Sequence, residues 1–209
     1  MTPRDFSKKE HFSFEEFRQL VKLLRSPEGC SWDREQTHKS LRNNFVEEAY
    51  EVCEGIDKED DALLCEELGD VLLQVLFHAG IAEDKGAFTT EDVIDGIAKK
   101  MVRRHPHIFE ENAVKEDWET IKQKEKNESS LQDSLRRIST ALPSLKRAEK
   151  IIKKTKTLPL SPLTSNDDKE AMGEEIFRLC KKCVKDHIDP EEALNQYLEQ
   201  IIEKCTNYE

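Results

Sequence analysis

Residues 43–80 read NNFVEEAYEVCEGIDKEDDALLCEELGDVLLQVLFHAG, and two phrases inside this stretch, EEAYE and EELGD, set carboxylates among residues as apolar as a protein core. Leu41, Phe45, Val52 and Ile56, with Ala49 and Cys53, recur at helical spacing and predict a helix from about residue 38 to 56, which Gly55 and Asp57 help to end. A second helix, about 60 to 83, carries Leu63, Leu64, Leu68, Val71, Leu72, Leu73, Val75, Leu76 and Phe77 on nearly every side. A helix apolar all round is buried.

The acids therefore need a reason. At about 100° per residue, Glu47, Glu48 and Glu51 fall within an arc of about 100° and form one stripe. Glu67 and Asp70, three positions apart, share a face that also carries Leu63, Leu64 and Val71. Ionised carboxylates buried without partners are so costly that they must be protonated, paired with bases or bound to cations. Few bases lie nearby in sequence. If the two helices pack antiparallel through the connection GIDKED, Glu48/Glu51 and Glu67/Asp70 converge on one small volume. All-oxygen ligation of that kind favours Mg²⁺, Mn²⁺ or Ca²⁺ over zinc or a thiolate-bound metal. Read alone, EEAYE is an ordinary solvated face; EELGD, embedded in an apolar helix, shifts the balance toward a metal site. Di-iron carboxylate bundles also turn Glu pairs inward, but they use Glu-x-x-His, and the third position after Glu48 is Glu51 and after Glu67 is Asp70.

The rest of the 209 residues supports an all-α protein. The composition is 36% hydrophobic and 37% charged with seven Gly and seven Pro, which suits helices. A net charge of −11 disfavours non-specific attraction to nucleic acid. Six cysteines without dense small-domain spacing, no signal peptide and no apolar run near the roughly 20 residues that span a bilayer point to reduced thiols, a cytoplasmic location and no membrane. Ser13 and Glu16 form a capping box ahead of FEEFRQLVKLL, predicting a helix over 13–26, and SPEGCSWDREQTH reads as a loop. Glu91 and Asp92 open a further helix that Lys99, Lys100, Arg103 and Arg104 close, with Pro106 beyond, and EDWETIKQKEK predicts a short one. A polar turn, NESSLQDS, places a domain boundary near 130, giving a first domain over 1–130 and a second over 131–209. In the second, EEIFRLCKKCVKDHI and the Asp189-capped run that follows echo the order of EELGDVLLQVLFHAGI and TTEDVIDGIAKKMVRR. Arg178 stands where the first copy has Asp70, and nothing reproduces EEAYE. The second region reads as a degenerate, shortened copy without catalytic acids.

The order EExxE (Glu47, Glu48, Glu51), a spacer, then ExxD (Glu67, Asp70) resembles the MazG family of nucleoside triphosphate pyrophosphohydrolases. So do its flanks: CSWDREQTHKSLR, VLFHAGIAEDKGAF, KMVRRHPHIF and DWETIKQKEK, together covering about residues 14–126. The resemblance implies an all-α NTP pyrophosphatase bundle, a homodimer, and Mg²⁺-dependent hydrolysis of an NTP or dNTP to monophosphate and pyrophosphate by water attack at the α phosphorus, with Mn²⁺ a possible substitute. Carried over by position, Glu48, Glu51, Glu67 and Asp70 hold the metal, and Glu47 orients or deprotonates the water. Lys100 and Arg104, one helical turn apart, supply positive charge for the leaving pyrophosphate. Trp118 with Lys122 covers the base or reaches a phosphate, and Asn44, on the Glu48 stripe, hydrogen-bonds the nucleotide.

Each of these has a plainer explanation to set beside it. Basic residues at a helix end suit the macrodipole. Trp118 can be a core or interface aromatic, as Trp32 can. Cys180, Cys183 and His187 share a face but lack a fourth zinc ligand. The basic run Lys146, Arg147, Lys150, Lys153 and Lys154 is interleaved with apolar residues as in a solvated amphipathic face. The competing class is a catalytically weak nucleotide-binding or protein-interaction module of the same fold. The dimer has an independent argument: a helix apolar on every side needs more partners than a domain this short supplies.

Overall fold

The structure, a computed structural model, describes residues 3–111, 118, 121, 125, 130–156 and 167–206. Among these every regular element is an α-helix. No helix among them is long and apolar enough to cross a membrane. The chain falls into two compact units, Met1–Lys115 and Glu116–Glu209, dividing ahead of the polar turn near 130.

The first unit runs α1 (Pro3–Phe6), α2 (Phe14–Leu24), α3 (Ser31–Glu35), α4 (Arg42–Asp57), α5 (Asp61–Asp84), α6 (Thr90–Arg104) and α7 (Pro106–Phe109). The capping box of α2 is present: the Ser13 hydroxyl accepts from the Glu16 amide at 3.3 Å, and Glu16 accepts from the Ser13 amide at 2.9 Å. Lys9 adds an ion pair to Glu16. Asp60 caps α5 by accepting from the amides of Ala62 and Leu63 at 3.0 and 3.1 Å. A second capping box opens α6, where Thr89 and Asp92 exchange bonds of 3.2 and 2.8 Å. Its Asp stands where Glu or Gln is the usual partner, so sequence reading saw only the acidic first turn.

Three local expectations change. The loop SPEGCSWDREQTH contains α3, which has no side-chain cap and no buried residue, so no apolar period announces it. Pro106 stops α6 but also starts α7, as proline at the first helical position can. Gly55 lies inside α4 rather than terminating it. A Cβ there would meet the Leu64 amide nitrogen at 2.9 Å and its Cα at 3.0 Å, so this glycine lets the backbones of α4 and α5 touch.

Val21, Leu41, Leu76, Phe77 and Ile81 form the core of this unit, with Phe17 and Leu73 packed against it. Arg25, at the end of α2, reaches across to α5. Its guanidinium bonds the Asp84 carboxylate at 2.6 Å and the Asp33 carbonyl at 3.0 Å, over the Phe77 ring. Gly80 makes room, since a Cβ there would sit 3.2 Å from Arg25 Nε. Helix α5 is not covered on every side: Leu68 is 52% exposed and Leu72 is exposed as well.

The second unit contains α8 (Leu131–Arg136), α9 (Ser144–Lys154), α10 (Asp168–Lys185) and α11 (Pro190–Thr206), with α9 packed on the other three. Ile138, Ile152 and Cys180 are buried. The basic face of α9 is engaged within the unit: Lys146 and Lys153 pair with Glu149, Lys146 reaches Asp189, and Lys154 bonds Ser134. Asp189 caps α11 through the Glu191 amide at 3.0 Å. Of the helix predicted over EDWETIKQKEK, Trp118, Ile121 and Glu125 are helical and the remainder lies outside the described residues.

Candidate functional site

Helices α4 and α5 are joined by a turn in which Glu59 adopts φ 53°, and they run back antiparallel. Gly55 touches Leu64 near that turn, and far from it the Phe45 ring lies 5.8 Å from His78, so numbers fall on one helix as they rise on the other. That register sets the acid stripe of α4 opposite the ExxD face of α5. Carboxylate oxygens of Glu48, Glu67 and Asp70 all lie within 4.8 Å of one another. Glu51, on the same stripe of α4, adds its charge to the crowding at Glu48 and Glu67.

The electrostatics follow from that crowding. Glu67 is only 9% exposed, and Glu48 is half-buried. Loss of water, then a hydrogen bond with Glu51 and the charges of Asp70, Glu51 and Glu67, hold the Glu48 carboxyl above its ordinary range. Glu67 is raised too, first by burial and then by Glu51 and Asp70. Among the described residues no Lys or Arg forms an ion pair with Glu48, Glu51, Glu67 or Asp70. An uncompensated knot of four carboxyls with oxygen donors alone fits a hard divalent cation, which supplies the missing positive charge.

The remaining candidates are less tightly gathered. Glu47 is exposed on α4, outside the trio whose oxygens converge. Asn44 is exposed one turn before Glu48. Lys100 and Arg104 are half-buried near the C-terminal end of α6, which packs on α5. Trp118 is 40% exposed and belongs to the second unit, and Lys122 lies outside the described residues.

Two features escaped the sequence reading. Gln74, one turn after Asp70, is 7% exposed, and its Oε1 has no hydrogen-bond partner among the described residues. His38 and His78 meet head-on. Their Nδ1 atoms are 2.9 Å apart while the ring centroids are 5.2 Å apart and the planes differ by 5°, so the nitrogens lie between the rings and one N–H donates to the other nitrogen. Helical phase links these positions: Glu67, Asp70, Gln74 and His78 fall within an arc of about 80° on α5. That column was readable; the burial and pairing of its members were not.

Comparison with known proteins agrees with the geometry. The MazG nucleotide pyrophosphohydrolase domain model matches residues 36–109, all within the first unit. A Thermotoga maritima protein named nucleoside triphosphate pyrophosphohydrolase/pyrophosphatase MazG is 37% identical over 94% of this chain and 85% of its own length. The Escherichia coli K12 nucleoside triphosphate pyrophosphohydrolase is 34% identical over 86% of this chain and 72% of its own. The uncharacterized protein YabN of Bacillus subtilis is 52% identical over 68% of this chain, which spans only 30% of that longer protein. With its acid cluster inside the matched segment and a relative aligned along most of both chains, the protein belongs to the MazG family of nucleotide pyrophosphohydrolases, hydrolases acting on phosphoric anhydrides.

Proposed function

We propose that the first unit hydrolyses a nucleoside or deoxynucleoside triphosphate to its monophosphate and pyrophosphate, with water attacking the α phosphorus and Mg²⁺, or Mn²⁺ in its place, held by Glu48, Glu51, Glu67 and Asp70. The observation that carries this is the convergence of Glu48, Glu67 and Asp70 oxygens within 4.8 Å, without a basic ion-pair partner among the described residues, in a chain whose relatives are named for this activity. A divalent cation held by Glu48, Glu51, Glu67 and Asp70 would supply positive charge to the phosphates and lower the pKa of the attacking water. Glu47, exposed beside the knot and outside it, is free to accept the proton of the attacking water. Lys100 and Arg104 bring positive charge toward the leaving pyrophosphate, and their half-buried setting strengthens that interaction relative to open water. Asn44, and Trp118 with Lys122, are proposed to contact the nucleotide.

We also propose a homodimer acting in the cytoplasm. Its support is the apolar surface left on the first unit: Leu68 and Leu72 on α5, Val46 and Tyr50 on α4, and Ile94 and Ile97 on α6 are all exposed. The second unit, with Arg178 at the position corresponding to Asp70, is proposed as the degenerate copy that lacks the acids. Turnover in ¹⁸O-labelled water tests the chemistry: label in the monophosphate supports attack at the α phosphorus, and label in pyrophosphate refutes it.

A further inference from the structure

On α5 the carboxylates do not end the polar column. Gln74 follows Asp70 by one turn on the same face, within about 60° of both Glu67 and Asp70. It is more than nine-tenths buried, and its Oε1 finds no donor among the described residues. A buried amide oxygen left without a donor is costly, and an apolar residue of the same shape would remove that cost. A helix packing on its neighbour gains nothing from keeping it there. The position makes sense if the missing donor arrives with a ligand.

We infer that Gln74 is a positioning residue whose Oε1 accepts a hydrogen bond from a water retained by the divalent cation at Glu48, Glu67 and Asp70, an inference that rests on the cation reading above. Side chains on a helix lean toward its N-terminus, so Gln74 extends back over the turn that carries Asp70. Mg²⁺ keeps several of its waters when bound by carboxylates, so a donor on that side is available. The amide oxygen is neutral, so it orients the water without adding charge to an already crowded anionic knot, which a fifth carboxylate would do. The cation supplies the donor that the amide lacks, and the amide fixes one of the cation's outer contacts, as partners beyond the direct ligands commonly do.

The test is Gln74→Met and Gln74→Glu in the full chain, with Mn²⁺ affinity by calorimetry and the cation-free melting temperature as readouts besides turnover. Gln74→Met, similar in shape and without an acceptor, is expected to melt at or above wild type without cation and to bind Mn²⁺ about fivefold more weakly, the loss of one modest hydrogen bond. Gln74→Glu, which keeps an acceptor, is expected to retain Mn²⁺ affinity at or above wild type while melting lower without cation. Unchanged Mn²⁺ affinity in Gln74→Met, together with a lower cation-free melting temperature, would mean that a structural water or a protein donor already satisfies Oε1, and overturns the inference. Wild-type protein that binds no Mn²⁺ would overturn the cation reading and this inference together, whereas wild-type binding with an unaltered Gln74→Met overturns the inference alone.

Discussion

Gly55 offers a test of the packing that builds the acid knot. Replacing it with alanine adds one methyl group to the middle of a helix, where Ala is favoured over Gly by about 1 kcal/mol. Propensity alone predicts stabilisation. The structure predicts the reverse, because the new Cβ would lie 2.9 Å from the Leu64 nitrogen, 3.0 Å from its Cα and 3.3 Å from its Cβ. Two of those atoms are backbone and cannot rotate aside, so α4 and α5 must separate, at an overpacking cost of about 1–3 kcal/mol. The net expectation is a loss of about 1 kcal/mol. Gly69 supplies the control: it too is inside a helix, α5, and a Cβ there meets nothing within 4 Å, so Gly69→Ala should gain about 0.5–1 kcal/mol. Urea denaturation of both variants against wild type, without cation, measures the difference. Glu51 lies one turn from Gly55, so Gly55→Ala should also weaken cation binding. Equal stabilisation by the two substitutions would refute the close approach of α4 and α5 at this point, and with it the register that opposes Glu48 and Glu51 to Glu67 and Asp70.

Other expectations follow from individual contacts. Ser13→Ala removes the hydroxyl half of the α2 capping box and should cost about 1 kcal/mol in urea denaturation. Its partner Glu16 is held down to about 2 by Lys9 and by the Ser13 amide and hydroxyl, so the stabilisation it lends is complete above its ordinary value of 4.5 and fades as pH falls toward about 2; a Glu16→Gln melting series should converge on wild type over that window. Glu48 has the opposite sign. Its raised pKa means that the folded state takes up its proton more readily than the unfolded one, so ionised Glu48 destabilises the cation-free fold at neutral pH, and the penalty disappears as pH falls through the raised pKa toward 4.5. Cation-free Glu48→Gln should therefore melt above wild type at pH 7, the gap should close on acidification, and saturating Mg²⁺ should reverse the order; a variant that melts below wild type without cation contradicts this. Burial, and then the nearby His38, depress the His78 pKa, so His38→Ala, which opens the site to water and removes that neighbour, should raise it in an NMR titration. A His78 pKa that stays put would show that the head-on pair does not form.

Much of this could be read before any coordinates. The α2 capping box, the span of α5 and the meeting of Glu48 with Glu67 and Asp70 across a short connection follow from residue type and helical period, because such features are local or one hairpin apart. Gly55 was misread for the complementary reason: glycine ends helices and also permits close packing, and only the position of Leu64 distinguishes the two. Helix α3 went unseen because none of its residues is buried, which leaves no apolar period to detect. Gln74 and the His38–His78 pair depend on burial and on contacts forty residues apart, which the pattern of one helix does not contain. The exposure of Leu68 and Leu72 was also hidden, since an all-round apolar helix looks the same whether its last face meets its own chain or another copy.

The central claim, that the carboxylate knot on α4 and α5 is a pyrophosphohydrolase centre, is tested most directly by the products. Purified protein incubated with Mg²⁺ and a panel of NTPs and dNTPs, resolved by anion-exchange chromatography beside a folded Glu48→Ala control, should yield monophosphate and pyrophosphate only in the unaltered protein. Diphosphate with orthophosphate, or equal turnover in the control, would contradict it.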